Sequence, residues 1–296
     1  NKNIKNQKIT DVWTSYNSTF HKGKNNIKDK AYFPIFKKLV VGQKVKNVVR
    51  RGKNILIRLD NNHTIIAHMK MTGHFLYGKY IFDEKNKTWC ATESKTLQNP
   101  FSRFIRLTFT LSSGNNIAFS DMRKFAKVFI IKTTEEQTCF DLKNLGPEPL
   151  EPDFSPKILR EQLLKKPNGK IKTVLMDQSL ISGIGNIYSD EILWASNIHP
   201  LESPKNLAPK QFQAIFMNTL KILTRSIEMG GDSMSDYRNV LGEKGNFQNA
   251  HRAYRQTDKI CQRKGCGGII NRLVVGGRST HFCPKHQKLA KPISSL

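Results

Sequence analysis

The hydrophobic periodicity changes once along this chain, and that change limits the folds the chain can adopt. Up to about residue 134, apolar residues alternate with polar ones at the two-residue period of β-strands. Beyond about residue 156 they recur at spacings of three and four, the period of an amphipathic helix. Because the two patterns are segregated along the chain, the sequence predicts an α+β protein with more than one domain.

Two segments of the first part have the pattern of β-hairpins. Ile55–Leu59 alternates, a polar turn follows, and Ile65–Met69 returns the chain. Ile105–Leu111 also alternates before a polar turn, whereas residues 80–102 break the pattern and predict a surface insertion. Repeated hairpins of this kind predict an N-terminal β-sandwich over residues 1–134.

An acidic, proline-rich stretch separates the two parts. Between residues 135 and 153, six acidic side chains stand against one base, Lys143, and three prolines restrict the backbone. We expect a rigid linker over residues 135–155.

The second part has the pattern of a helical domain. Ile171–Met176 and Ile187–Trp194 predict two helices, joined through the glycine turn that ends in Gly183-Ile184-Gly185-Asn186. Phe212–Ile227 predicts a longer helix with one apolar face. The helical domain is therefore placed at residues 156–257.

The C-terminal segment contains two close pairs of metal-binding residue types. The pairs are Cys261-x4-Cys266 and Cys283-x2-His286. Three thiolates and an imidazole separated by a hairpin-sized loop are typical of a structural, tetrahedral Zn²⁺ site, and His281 is a spare candidate ligand. We predict a zinc finger over residues 258–290 with one structural Zn²⁺; the alternative is four residues without a common site.

The charge of the chain predicts a polyanionic partner. The formal net charge is +26, and both ends are basic: residues 1–60 hold 15 Lys and Arg against 3 acids, and residues 251–296 hold 10 against 1. No run approaches the ~18 apolar residues of a membrane span. The N-terminal residues lack the apolar core of a signal peptide, and five cysteines do not suit a disulfide framework. A reducing, cytoplasmic compartment fits these features.

Two runs contain groups that could bind phosphate. Glycines before Asn186 would let backbone N–H groups at a helix start approach an anion, although an ordinary turn capped by Asn186 has the same pattern. Arg50–Asn54 includes Lys53, and Ala67–Gly73 includes His68. A solvated surface charge is the alternative for Lys53.

A third run pairs an arginine with an aromatic residue. Ser120–Phe125 places Arg123 and Phe125 on one side of a loop or strand. An exposed aromatic ring beside a guanidinium suits stacking on nucleic-acid bases. The alternative for Phe125 is a place in the core.

Together these runs resemble the formamidopyrimidine-DNA glycosylase / endonuclease VIII family of base-excision repair enzymes, in its formamidopyrimidine branch. The resemblance extends from about Ile9 to Gln287. It is carried by Arg51–Lys53, His68–Gly73, Asp121–Phe125, Leu145–Leu150, Gly183–Tyr188 and Gly276–Thr280, in addition to the cysteine tail.

The resemblance implies a β-sandwich, a helical domain with a helix-two-turn-helix, and a zinc-finger hairpin, with duplex DNA bound between the two halves. It implies a monomeric, cytoplasmic, nucleoid-associated enzyme of the bacterial type. Such an enzyme flips a damaged base out of the stack, excises oxidised purines such as 8-oxoguanine and formamidopyrimidines, and cleaves the abasic site by β,δ-elimination.

The resemblance also assigns roles to individual side chains. Met71, Arg123 and Phe125 match the residues that fill the void left by the flipped base. Lys53, His68, Asn186 and Arg278 match the phosphate-binding positions, and Cys261, Cys266, Cys283 and His286 match the zinc ligands. Lys53 further matches the proton donor of β-elimination and Arg278 the δ-elimination position. The segment from Gly230 to about Ala253 matches the loop that closes over the base.

The start of the sequence departs from the family. Its members begin Pro-Glu-Leu-Pro-Glu-Val-Glu, with the proline amine as nucleophile and the glutamate assisting by proton transfer. This sequence begins at Asn1, about a dozen residues inside that start. We therefore expect the chain as given to be inactive or weak, as an incomplete copy of a glycosylase and abasic-site lyase.

Two further classes of protein fit part of the pattern. One is a catalytically inactive protein that binds damaged DNA or abasic sites. The other is a zinc-bearing ribosomal or transcription-associated nucleic-acid binder, which accounts for the charge and the zinc site but not for the set formed by Met71, Arg123 and Phe125.

Overall fold

A computed structural model describes residues 3–234 and 237–290, and these form two compact units. The first unit extends to Lys143 and includes Gly230–Gly245, and the second contains Asn144–Met229 and the chain from Asn246 onward. The helical pattern gave no sign that Gly230–Gly245 belongs to the first unit. The domain limits 1–134, 135–155, 156–257 and 258–290 stay predictions.

The first unit is mainly β-structure. Its helices are α1 (Tyr32–Val40) and the short α2 (Phe140–Lys143), and its strands are β1 (Ile9–Thr14), β2 (Val45–Arg51), β3 (Asn54–Leu59), β4 (His63–His68), β5 (His74–Gly78), β6 (Tyr80–Asp83), β7 (Thr88–Ala91), β8 (Ile105–Leu111), β9 (Asn116–Ser120) and β10 (Lys127–Lys132). Two antiparallel four-stranded sheets, in the orders β1-β8-β9-β5 and β10-β4-β3-β2, form the β-sandwich.

The hairpins predicted from alternation are confirmed. β3 and β4 pair in the register that sets Ile57 against Ile65, across a turn in which Asn62 adopts a left-handed conformation with φ 58°. β8 and β9 pair likewise. The apolar faces pack inward, and Phe36 of α1 contacts Phe109 of β8, with ring centroids 6.3 Å apart.

The segment predicted as a surface insertion, residues 80–102, has regular structure of its own. β6 and β7 form a separate hairpin. Tyr80 and Leu97 are buried, and they pack with Leu76 of β5 and Ile105 of β8. The segment is therefore fastened to the sandwich through its apolar residues, while its many Lys, Asn and Thr residues face solvent.

The acidic stretch after β10 pairs with basic residues of the first unit. Glu136 accepts hydrogen bonds from Arg58 at 2.9 and 2.6 Å and from the Thr64 hydroxyl at 2.7 Å. Asp141 of α2 accepts one from Lys127 at 2.5 Å. Part of the negative charge in this stretch is thus neutralised locally.

The second unit contains four helices and one hairpin among its described residues. They are α3 (Pro156–Leu164), α4 (Ile171–Met176), α5 (Asn186–Ser196), α6 (Pro209–Glu228), β11 (Asn271–Val275) and β12 (Arg278–Phe282). The predicted helix-turn-helix and the long helix are confirmed, and their apolar faces share one core that includes Leu163, Ile171 and Ile192.

No helix within residues 3–234 and 237–290 is both long enough and apolar enough to cross a membrane.

Candidate nucleic-acid interface

Lys53 and His68 lie at the same end of one sheet of the first unit. Arg51 pairs with Asn54, so Gly52 and Lys53 form the two-residue turn between β2 and β3. Gly52 has φ 56°, a conformation that suits glycine at this position of a tight hairpin. Asn54 in turn pairs with His68, the last residue of β4. The exposed lysine is therefore held beside the partly buried histidine.

His68 is held as a neutral hydrogen-bond donor. Its Nδ1 lies 3.0 Å from the backbone N–H of Lys70 and accepts from it, which leaves the ring proton on Nε2. Burial, followed by the charges of Lys70 and Lys53, lowers the pKa of His68 to about 4. At neutral pH the Nε2–H group can donate to an acceptor such as a phosphate oxygen.

Met71, Arg123 and Phe125 form an exposed cluster. The Arg123 guanidinium lies 4.6 Å from the centroid of the Phe125 ring, and its Nη1 lies 3.2 Å from the Met71 sulfur. Met71 is 64% exposed and Phe125 is 50% exposed, which excludes a core role for Phe125. The structure brings this predicted set together.

A buried carboxylate positions that cluster. Asp121 is fully buried; its Oδ1 accepts from the Thr72 hydroxyl at 2.7 Å, and its Oδ2 from the Tyr16 hydroxyl at 2.7 Å and the Ala126 N–H at 2.9 Å. The Thr72 hydroxyl also accepts from the backbone N–H of Arg123 at 3.1 Å. The turn that carries Met71 is thereby tied to the loop that carries Arg123.

The sequence did not reveal this role of Asp121, or that of Lys28. The available signal was one acid within a run of basic and apolar residues. Lys28, only 4% exposed, donates from Nζ to the carbonyl of Lys124 at 2.6 Å. Lys124 has φ 57°, a left-handed conformation that is unfavourable for a lysine. The buried ammonium therefore stabilises a strained turn between Arg123 and Phe125.

Asn186 and Arg278 come together in the second unit. Gly185 is the N-cap of α5 and Asn186 is its first helical residue, so the alternative in which Asn186 caps the turn is wrong. The Asn186 side-chain amide donates to the carbonyl of Ser279 at 3.1 Å. Ser279 follows Arg278, which is exposed at the start of β12. The helix start and the hairpin thus present both polar side chains in one region.

Buried acids of α5 hold the C-terminal segment in place, a role the sequence pattern did not reveal. Lys172 and Asp190 form a fully buried ion pair at 2.6 Å. The other oxygen of Asp190 accepts from the backbone N–H and Nδ1 of His281, at 3.0 and 2.9 Å. Glu191 accepts three backbone N–H bonds from residues 252–254. Polar residues inside an otherwise apolar helix pattern were the signal.

The four predicted metal ligands form one cluster. The ligand atoms of Cys261, Cys266, Cys283 and His286 all lie within 4.8 Å of one another. The Cys266 sulfur is 3.6 Å from that of Cys283 and 3.3 Å from His286 Nδ1. Tetrahedral Zn–S bonds would separate neighbouring sulfurs by about 3.7 Å, so the donor set fits Zn²⁺. His281 faces Asp190 instead and is not part of the set.

The remaining prediction for the site concerns Asn1 and the start of the sequence. Asn1 lies outside the described residues, and the expectation of an inactive or weak chain stays a prediction.

Three family models match the chain in order. The formamidopyrimidine-DNA glycosylase N-terminal domain matches residues 1–128, its H2TH domain matches residues 145–238, and the zinc finger found in FPG and IleRS matches residues 259–285. Formamidopyrimidine-DNA glycosylase of Streptococcus mutans is 36% identical over 249 residues, which cover 84% of each protein. The chain belongs to the formamidopyrimidine-DNA glycosylase family.

The fold of this chain is similar to that of formamidopyrimidine-DNA glycosylases in solved complexes with DNA. Lactococcus lactis Fpg in complex with DNA containing an abasic site has a TM-score of 0.79 and 31% identity, over 97% of this chain and 94% of that one. MutM in complex with DNA containing carbocyclic 8-oxo-G has the same values. The predicted family and three-part fold are confirmed, and the Cys3His cluster with the matching finger family supports one structural Zn²⁺.

The roles assigned to single DNA-binding residues stay predictions. Within the first unit lie Lys53, His68, Met71, Arg123 and Phe125, and within the second lie Asn186 and Arg278.

Loss of one zinc ligand should release the metal and loosen the finger. We expect Cys266→Ser to reduce bound zinc from about one ion to near zero, because one of four thiolate or imidazole ligands is lost. Elemental analysis of the purified protein measures the metal, and hydrogen exchange of β11 and β12 reports the folding. Cys139→Ser, outside the cluster, is the matched control. Full zinc occupancy in Cys266→Ser would contradict the ligand set.

His68 should titrate far below an ordinary histidine. We expect an NMR midpoint of about 4, and a higher midpoint in Lys70→Met because one nearby positive charge is removed. The pKa of His68 in the folded state lies below the unfolded value near 6.5. The contribution of His68 to folding stability is therefore fully present above pH 6.5 and is lost as the pH falls towards 4. Lys44→Met, on another part of the sandwich, should leave the midpoint unchanged. A midpoint near 6.5 in the parent protein would refute the proposed environment.

Proposed function

We propose that this chain acts on oxidised purines in duplex DNA as a glycosylase and abasic-site lyase of base-excision repair. Membership of the family supplies the reaction class. The observation that carries the contact with DNA is the exposed cluster of Met71, Arg123 and Phe125. Met71 and Phe125 are large apolar side chains exposed to water, so their insertion into a base stack is favourable.

The cluster suits the hole left by a flipped base. Flipping a base costs a few kcal/mol of lost stacking and pairing, least at a damaged pair. In this proposal Phe125 wedges between neighbouring base pairs, Met71 fills the vacated space, and Arg123 donates hydrogen bonds to the unpaired partner base. The Asp121 network restrains the backbone that carries these three side chains.

Four polar side chains are proposed to bind the phosphates around the flipped nucleotide. Lys53 and Arg278 are exposed cations, whereas His68 and Asn186 are neutral donors. Cations provide the salt-dependent part of the affinity, and neutral donors orient the backbone without adding long-range attraction. Both kinds of contact would keep the strained nucleotide out of the stack.

Lys53 and Arg278 are also proposed to assist the elimination steps. Lys53 would act as the proton donor of β-elimination, because its ammonium group is on a flexible side chain at a hairpin turn. Arg278, at the start of β12, would stabilise the phosphate leaving in δ-elimination. Because all four tetrahedral positions of the zinc site are filled by protein ligands, the metal supports the hairpin that carries Arg278.

The segment from Gly230 to about Ala253, which includes the loop Gly230–Gly245, is proposed to contact the damaged base. The protein is proposed to work as a monomer. Its place would be the bacterial cytoplasm, in association with nucleoid DNA. DNA as the partner and the bacterial origin of the relatives support this location.

Replacement of the intercalating residues should reduce selectivity for damage. We expect the double variant Arg123→Ala and Phe125→Ala to reduce the preference for 8-oxoguanine duplex over undamaged duplex by about tenfold, because stacking on a base contributes ~1–3 kcal/mol. Fluorescence anisotropy measures both affinities, and borohydride trapping on the same duplexes tells an enzyme from a protein that only binds lesions.

The matched control for that experiment is Phe20→Ala. Phe20 is 77% exposed and also lies under a cation, Lys24, at 4.1 Å. This variant should retain the preference for damaged DNA. An unchanged preference in the double variant would remove the cluster from lesion recognition.

Loss of Arg278 should weaken binding to all DNA sequences equally. We expect Arg278→Ala to reduce the slope of log K against log salt concentration by about one unit, because one phosphate contact is lost. Titrations at several salt concentrations measure the slope. Lys210→Ala, an exposed cation of α6 with no predicted role, should leave it unchanged. A parental slope in Arg278→Ala would exclude the contact.

A further inference from the structure

The loop Gly230–Gly245 is anchored to the rest of the first unit near the segment 80–102. Two of the residues that hold it, Thr96 and Phe101, lie in that segment, and a third, Tyr77, is on the adjacent strand β5. The family resemblance assigns no role to this segment. Its position against the loop therefore needs a physical explanation.

The first anchor completes the edge of a sheet. β5 is the outer strand in the order β1-β8-β9-β5, so no other strand of the described residues pairs with one side of its backbone. The N–H of Tyr77 donates to the carbonyl of Val240 at 2.7 Å. Val240 also lines a cavity of about 270 Å³ with Ile55, Ile57 and Phe75. The loop thus covers both a polar edge and an apolar opening of the sandwich.

The second anchor requires a glycine in the loop. The Thr96 hydroxyl donates to the carbonyl of Leu241 at 2.6 Å. At the next residue, Gly242, a Cβ atom would lie 2.5 Å from the carbonyl oxygen of Thr96, closer than carbon and oxygen atoms can approach. Gly242 has φ +80°, so both its conformation and its contact favour glycine. Backbone therefore packs directly on backbone at this point.

The third anchor is a cation–π contact. The Arg238 guanidinium lies 4.8 Å from the centroid of the Phe101 ring. Arg238 is 1% exposed, whereas Phe101 is 38% exposed. A guanidinium that is removed from water interacts more strongly with a ring than one on the open surface. The aromatic ring of the 80–102 segment thus covers a buried charge of the loop.

The loop is also ordered by its own hydrogen bonds. The Asn239 carboxamide oxygen accepts from the N–H groups of Leu241 and Glu243, both at 3.0 Å. At the base of the loop, the N–H of Gly245 donates to the Ser233 hydroxyl at 2.8 Å. The described parts of the loop, residues 230–234 and 237–245, therefore have an internal structure that can be docked as one piece.

We propose that the 80–102 segment is a docking surface that sets the position of the Gly230–Gly245 loop, with Thr96 and Phe101 as positioning residues for recognition of the damaged base. The inference rests on the proposed function, in which this loop contacts the base. A docked loop has less conformational entropy to lose when it contacts a damaged base. Docking therefore favours binding of duplexes that carry such a base. An abasic site offers no base and should not be affected.

A matched pair of glycine variants tests the docking. Gly242→Ala places a methyl group against Thr96. Gly114→Ala introduces the same conformational strain, at φ +79°, but the described part of the chain places no atom within 4 Å of the new methyl group. We expect Gly242→Ala to raise the hydrogen-exchange rate of the loop peptide about tenfold. The reason is that loss of the anchoring contacts makes local opening of the loop about tenfold more frequent. Gly114→Ala should leave the loop unchanged.

The same variants test the link to lesion recognition. We expect Gly242→Ala to lower the ratio of affinity for 8-oxoguanine duplex to affinity for abasic-analogue duplex about fivefold, with abasic-analogue binding unchanged. Because Gly242→Ala could disturb more than the contact, Thr96→Val and Phe101→Leu should shift both readouts in the same direction. Thr92→Val removes a hydroxyl hydrogen bond from the 80–102 segment to the carbonyl of Lys79, and Phe101→Tyr keeps the ring; neither variant should shift the readouts.

The outcomes separate the docking from the proposed function. Unchanged loop exchange in Gly242→Ala and Phe101→Leu would show that the anchors do not hold the loop. Faster exchange with an unchanged affinity ratio would overturn the positioning role. If the parent protein bound damaged duplex no better than intact duplex, the proposed function would fail while the exchange measurement still decided the docking.

Discussion

A buried carboxylate must have its oxygens satisfied by hydrogen bonds, and each unit of this chain uses that requirement to hold distant segments together. In the first unit, Asp121 ties the turn at Thr72 to the loop that carries Arg123. In the second, Asp190 ties Lys172 of α4 to His281 of β12. Removal of Asp121 would take the acceptor from the Tyr16 and Thr72 hydroxyls, and removal of Asp190 would take it from the N–H groups of His281. The geometry of the candidate site therefore depends on these carboxylates.

The exposed cluster of Met71, Arg123 and Phe125 depends on this buried network for its position. Solvent-exposed apolar side chains are not held by core packing, and they would sample many rotamers on a flexible loop. The Asp121 network and the buried Lys28 ammonium restrain the backbone beneath them, including the left-handed turn at Lys124. The loop therefore presents a preformed wedge, and less entropy is lost when it enters a base stack.

In the zinc finger, too, one group of residues supports the structure and another residue is exposed for the proposed contact with DNA. The Cys3His cluster lies at one end of the finger, and Arg278 lies at the turn of the β11–β12 hairpin. Contacts from α5 join the two: Trp194 donates from its indole N–H to the Cys261 sulfur at 3.3 Å, and Asn186 donates to Ser279. A metal site with no open position thus stabilises a side chain that is proposed to act on DNA.

Local pattern determined much of this protein. Alternation alone predicted β3 with β4 and β8 with β9, the three-and-four spacing predicted α6, and the spacing of four ligand residues predicted the zinc site, because each depends on neighbours close in the chain. Only the tertiary structure decided the partners of Asp121 and Asp190 and the docking of Gly242 against Thr96. Several of those contacts join residues far apart in the sequence, with 49 positions between Thr72 and Asp121 and 91 between Asp190 and His281. No periodicity or local spacing encodes which distant groups will meet.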